Sequence, residues 1–310
     1  MTLDFSSLLP KLPPITLAIG IALGLAGLWP QSWGTFSKKY SKVAIQTSIV
    51  LLGFWVSLEQ VARAGAAGLA FSTGAIVLVL AVSWLLGRLL KTDRDTGTLL
   101  SAGTAICGGS AIAATGSAIN AAAATMAAAT AIVFLLNAAG VYTYPLIGHA
   151  LEMSDRQFGA WCAVGVHDVA GVVGAASAFS QEALADATVI KLTRVLWIVP
   201  VALLLRRMSR DRHPEGGAPK APFPWFIVLF LAACGLRAAL DGMLGSGTVA
   251  PWADAARTAA TILLSIALLL IGTAISRSTI AKLGWRPLVH GTALWVIVSV
   301  AALIASRALL

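Results

Sequence analysis

Apolar blocks close to twenty residues long succeed one another from residue 14 to the C-terminus. About twenty apolar residues is the helix length that crosses a bilayer, and in lipid the backbone must satisfy its own polar groups. The chain therefore reads as an all-α polytopic membrane protein, a single transporter-like domain over residues 1–310. Ten spans are predicted, at about 14–30, 43–60, 67–90, 96–119, 121–147, 157–179, 187–206, 223–241, 255–276 and 286–308. Only 11% of residues are charged, where a soluble domain carries about 25%. Residues 208–222 form the one hydrophilic linker. No cleavable signal peptide is expected, since the N-terminus has no basic region ahead of a short apolar core. Cys107, Cys162 and Cys234 all lie in apolar segments, so neither a disulfide framework nor a metal site is indicated. The net charge of +9 reads as a topology signal rather than as a nucleic-acid surface.

Lys and Arg concentrate in cytoplasmic loops, which tests the span count. With the loop between spans 1 and 2 inside, the inner loops hold Lys38, Lys39, Lys42, Arg88, Lys91, Arg94, Arg156, Arg206, Arg207, Arg210, Arg212, Lys220, Arg277, Lys282 and Arg286. The outer side holds Lys11, Arg63, Lys191, Arg237, Arg257 and Arg307, and Arg194 falls within span 7. This asymmetry predicts ten spans with both termini outside. An internal repeat accompanies it. A shift of 219 residues superimposes Gly53 on Gly272, Ser57 on Ser276, Arg63 on Lys282, Gly65 on Gly284 and Thr73 on Thr292. The copies, about 47–90 and 266–309, would run in opposite directions. Inverted repeats are a recurring plan of secondary transporters. A simple five-plus-five repeat would instead pair span 2 with span 7.

The stretch Thr104-Ala-Ile-Cys-Gly-Gly-Ser-Ala-Ile-Ala-Ala-Thr115 interrupts span 4. Glycine costs about 1 kcal/mol relative to alanine in a helix interior. Two glycines followed by a serine able to cap a new helix predict two half-helices meeting at a break. Broken backbone at membrane depth is tolerated where protein buries it or it lines a cavity. A half-helix starting near Ser110 would turn free N–H groups and a positive dipole end toward the midplane, which is an anion site made of backbone. Thr104, Cys107, Gly108, Gly109, Ser110 and, further on, Asn120 are its candidate residues. The bland alternative is close helix packing by small residues.

Span 6 carries His167 and Asp168 near its centre, and ionisable residues at that depth are functional candidates by default. Either could couple transport to a proton, or the pair could cap another break. Lys191 and Arg194, three apart on one helix face, would balance charge. Arg194 needs a carboxylate or an anion, with Asp168, Glu182 and Asp186 the internal candidates. Asn137 and His290 read as helix–helix hydrogen-bonding groups, and Gly20 and Gly24 as a packing face.

Gly103-Thr-Ala-Ile-Cys-Gly-Gly-Ser-Ala-Ile-Ala-Ala-Thr115, Val166-His-Asp-Val-Ala170 and Lys191-Leu-Thr-Arg-Val195 together resemble the YeiH family, regarded as sulfate exporters of the bacterial inner membrane. The resemblance runs from about residue 40 to the C-terminus. It implies a panel-and-core transporter with inverted repeats and discontinuous helices, compatible with a homodimer. Where many members carry a proline and a lysine after the span-4 motif, this chain has Ser117 and Asn120, and their glutamate and glutamine in span 6 are Asp168 and Gly171.

The expectation is a non-enzymatic secondary transporter of a small inorganic or organic anion, sulfate or a similar oxyanion. It needs no cofactor and no metal, and its coupling ion would be H⁺ or Na⁺. The alternative is a cation/proton antiporter using Asp168. A hydrolase built on Ser110, His167 and Asp168 is disfavoured, because adjacent His and Asp do not line up as base and orienter.

Overall fold

The computed structural model describes residues 9–210, 225–281 and 283–310, so most of the predicted linker and Lys282 lie outside the described residues. Among the described residues the chain is helical throughout, with no strand. In order the helices are α1 (Leu12–Ala26), α2 (Gly34–Trp55), α3 (Leu58–Leu89), α4 (Arg94–Ala105), α5 (Gly109–Ala118), α6 (Ala123–Ala150), α7 (Asp155–Gly165), α8 (Val169–Phe179), α9 (Gln181–Val195), α10 (Ile198–Met208), α11 (Trp225–Leu244), α12 (Ser246–Gly272), α13 (Arg277–Ala281) and α14 (Trp285–Leu309).

Among the described residues, six helices are long and apolar enough to cross a membrane: the segment Leu9–Ala26, α3, α6, α11, α12 and α14. They become seven if α9 and α10, bent by 42°, form one span. The bend falls just before Pro200, whose ring would clash with the carbonyl four residues back in a straight helix. Helix α2 carries Lys38, Lys39 and Lys42 in its first half and packs against α11 and α12.

Two of the ten predicted spans fold back on themselves. In span 4, α4 and α5 lie side by side and antiparallel: a Cβ placed on Gly103 would lie 2.9 Å from Ile112, and one on Gly116 would lie 3.5 Å from Leu99. In a continuous helix Leu99 and Gly116 would be about 25 Å apart at 1.5 Å per residue. Span 6 folds back in the same way. The Ser180 hydroxyl donates to Asp155 at the start of α7, and the rings of Phe158 and Phe179 stack with centroids 3.9 Å apart. Each segment is thus a helical hairpin. The intervening α6, 28 residues and about 42 Å long, separates their open ends. The hairpins enter from opposite ends of the bundle and meet tip to tip.

Local chemistry fixes the open ends. Asp93 caps α4 through the Thr96 N–H, Ser154 and Gln157 form a reciprocal capping box on α7, and Ser180 caps α9 through the Ala183 N–H. Around the hairpins pack α3, α6, α9, α10 and α14. A second group, α1, α2, α11 and α12, packs mainly on itself. Gly20 lets α1 lie directly on α12, since a Cβ there would sit 3.1 Å from the Gly272 Cα, and Gly24 packs on the chain just past α12, where a Cβ would sit 2.6 Å from the Ile275 carbonyl oxygen.

Candidate functional site

The two hairpin tips, Ile106–Gly108 and Val166–Asp168, touch. A Cβ on Gly108 would lie 3.7 Å from the Asp168 Cβ and 3.8 Å from that of His167. Gly108 has φ 66° and ψ −123°, a conformation that a side chain would strain, and this lets α4 turn back into α5 within three residues.

Arg194 and Lys191 lie on α9 beneath both tips, and both side chains are fully buried. The Arg194 guanidinium donates to the Ala105 carbonyl through Nε (3.1 Å) and Nη2, and to Thr104 O at 3.4 Å. Its Nη1 donates to Ala163 O at 3.1 Å and Val164 O at 3.0 Å. Lys191 donates to Val166 O at 2.8 Å and Ala163 O at 3.2 Å. These carbonyls belong to the last turns and ends of α4 and α7, which have no intrahelical partners and carry the negative end of the helix dipole. The expected carboxylate partner for Arg194 is therefore replaced by main chain. Among the described residues, Asp168, Glu182 and Asp186 do not pair with it. Asp168 acts on Lys191 only through space.

Asp168 is instead the N-cap of α8. Its Oδ1 accepts from the Gly171 N–H at 2.5 Å and its Oδ2 from the Asn137 amide at 3.1 Å, while the Asp168 N–H donates to Asn137 Oδ1 at 3.0 Å. The expectation for Asn137 is only a helix–helix group; in the fold it clamps the second hairpin tip. The signal for this in the sequence is an amide within the apolar run of α6. Gly171 makes room for it, since a Cβ there would sit 2.5 Å from Asn137 Oδ1.

The matching end of α5 is built differently. Its N-cap is Gly108, which brings no side chain, so Ser110 is not the cap. The Cys107 thiol lies near the Ser110 hydroxyl and the Ala111 N–H, and sulfur is a weak acceptor. Phe134 of α6 stands 3.3 Å from where a Cβ on Gly109 would be. Cys107 is buried, Gly109 partly open and Ser110 exposed. Two buried groups beside this end have no hydrogen-bond partner: Thr104 Oγ1 and both ring nitrogens of His167.

The structure thus brings together Thr104, Cys107, Gly108, Gly109, Ser110, His167, Asp168, Lys191 and Arg194. It does not bring in Asn120. That residue is exposed, has φ 52°, and lies past the far end of α5, about 16 Å along the helix from the tip. His290 bridges Ser83 (3.0 Å) and Thr92 (3.2 Å) away from the tips, as a helix–helix group. Ser110, His167 and Asp168 are not hydrogen-bonded to one another, because the His167 ring has no partner.

A family model described as "Conserved hypothetical protein 698" matches residues 3–291. The chain belongs to the UPF0324 membrane protein family. This is the family its motifs resemble. A UPF0324 membrane protein of Bacteroides thetaiotaomicron is 39% identical over 293 residues, covering 94% of this chain and 85% of the relative. Those of Geobacter sulfurreducens and Porphyromonas gingivalis are 40% and 39% identical, covering 94% of this chain and 89% and 86% of the relatives. No solved structure matches. The family name and the long apolar helices together make this UPF0324 protein a multi-pass membrane protein.

Proposed function

We propose that this protein is a secondary active transporter of a small anion, bound where the two hairpin tips meet. One observation carries the reading. Two helix N-termini face the centre of the molecule; α8 is occupied by an internal carboxylate, Asp168, and α5 has none. A helix N-terminus favours an anion, and Asp168 shows what such an anion does here. A substrate oxyanion, sulfate or similar, would take the corresponding place on α5, with Thr104 and His167 beside it. Lys191 and Arg194 act by neutralising the carbonyl ends of α4 and α7, so that the positive ends of α5 and α8 set the local potential. The alternative cation/proton antiporter needs a free carboxylate, and both Asp168 oxygens are engaged, Oδ1 by the α8 cap and Oδ2 by the Asn137 amide of α6.

Alternating access draws support from the arrangement of helices. The 219-residue repeat aligns helix starts as well as residues: α3 begins at Leu58 after its cap Ser57, and α13 begins at Arg277 after Ser276. The first residues of α3 and the end of α14 share a pocket lined by Arg63, Arg156 and Leu310, which supports opposite directions for the two copies. A hairpin followed by a long helix also occurs twice, at 94–150 and 155–208, entered from opposite ends. This accounts for the conflict with a five-plus-five pairing: the repeated unit is hairpin plus helix, flanked by the α2–α3 and α12–α14 copies. The group of α1, α2, α11 and α12 would be the panel against which the hairpin body moves. With the hairpins folded back, Arg156 moves to the outer face and Lys191 to the core, which leaves the positive excess inside and both termini outside the bacterial inner membrane.

The test is uptake of labelled sulfate and nitrate by proteoliposomes. Gly109→Leu, which drives a side chain into Phe134 and over the α5 terminus, is expected to abolish flux, and Asp168→Ala, which removes the α8 cap at about 1 kcal/mol, to lower it. Unchanged flux in both variants removes the hairpin tips from the mechanism. Cation-dependent collapse of a pH gradient, insensitive to anions, would establish the antiporter instead.

A further inference from the structure

We infer that His167 takes up a proton together with the anion, so that the protein is an anion–proton symporter. This rests on the anion site proposed above. His167 is 1% exposed, and neither ring nitrogen has a hydrogen-bond partner. Burying an unpaired polar group costs about 1–3 kcal/mol, so such a group in a close-packed centre marks a missing partner. The neighbouring polar groups are already engaged: Asp168 by Gly171 and Asn137, Lys191 by Ala163 and Val166, Arg194 by four carbonyl oxygens. What remains unengaged is the His167 ring and the Thr104 hydroxyl, while the start of α5 meets only the weak acceptor Cys107 Sγ.

The charges decide how the ring is used. The groups facing it from α9 are Lys191 and Arg194, and the Arg194 guanidinium carries a positive charge. Asp168, its chain neighbour, is tied into the α8 cap. Cys107 from the first tip, Cys162 from α7 and Tyr144 from α6 complete the titratable groups around the tips, and all three are buried. With the site empty, the nearby Arg194 guanidinium and the burial of the ring oppose an imidazolium. An anion seated at α5 reverses that balance and supplies an acceptor for the new N–H. Anion and proton therefore favour each other's binding, and linkage makes the effect reciprocal. Neutral imidazole donates through one nitrogen only; imidazolium donates through both, toward the anion. The proton enters from water on the loading side and leaves to water on the other, with the anion. Asp168, the other group expected to couple, stays a fixed cap.

The experiment follows protons and anions together in liposomes holding a pH-sensitive dye, with labelled sulfate and nitrate as probes. An inward anion gradient should acidify the lumen of wild-type vesicles by about one proton per anion. Apparent affinity should rise as pH falls, by up to about tenfold per unit for one linked proton. His167→Gln should lower flux, and the remaining flux should carry no protons and lose its pH dependence. Anion uptake by the wild type without acidification overturns the inference by itself, whatever the variant's folding. So does a His167→Gln protein that keeps the wild-type proton-to-anion ratio. Absence of uptake of either probe by the wild type overturns the anion site beneath it and this inference with it.

Discussion

The two hairpins share a shape and differ in what their turns supply. Each runs in as a helix of about eleven residues, turns in three, and runs back. Each presents the C-terminal carbonyls of its first helix to α9 and the N-terminus of its second to the other hairpin. At the turn the second hairpin has Asp168, and the first has Gly108. The first therefore keeps an N-terminus met only by the weak acceptor Cys107, where the second is filled by its own carboxylate. Near-symmetric elements that differ in who supplies the anion separate a structural end from a binding end, a distinction that composition around either break does not make.

The comparison can be broken at the residue the hairpins share. Arg194→Met should have the largest effect, since carbonyls from both hairpins lose their donor, at about 3 kcal/mol or more in total. Thermal unfolding in detergent should show this, and Arg194→Lys should recover only part, because an ammonium cannot reach both sets as a planar fork does. A wild-type-like midpoint for Arg194→Met would mean that the guanidinium does not hold the tips together. A sharper test makes the first hairpin like the second. Ser110→Asp places a carboxylate in the first turn of α5, where it should stabilise that helix by about 0.3–1 kcal/mol. The same charge should repel the substrate anion and lower flux at least about tenfold. Retained flux would show that the anion does not use the α5 terminus. The smallest effect belongs to Asn120→Gly. Its φ of 52° suits glycine and it stands at the far end of α5, so stability should stay within about 0.5 kcal/mol and anion flux should not change. A large loss of flux would return Asn120 to the site.

Several features are legible in the residues alone. The apolar block length settles the helical membrane class, because only a closed hydrogen-bonding pattern survives in lipid. Gly108-Gly109 marks a place where a helix is costly, and the chain does turn there. His167 and Asp168 at the centre of an apolar run are worth their burial cost only in a built environment, and they sit in the second turn. His290 and Asn137 are legible as hydrogen-bonding groups, though nothing in the residue order says that Asn137 clamps Asp168.

What the sequence by itself determined, then, is the class of the protein, the break at Gly108-Gly109, and most of the polar residues gathered at the tips, with the second break only one of two readings of His167-Asp168. Only the tertiary structure decided whether a broken helix continues or folds back. That choice depends on contacts such as Leu99 with Gly116 and Asp155 with Ser180, between residues far apart in the chain, and hydropathy is the same either way. Charge could not reveal it, because folding back both segments moves only Arg156 across and draws Lys191 into the core. The partner of Arg194 was hidden for a related reason: a cation in an apolar run calls for a carboxylate in sequence, whereas folded-back helices supply free carbonyls, which no residue letter records.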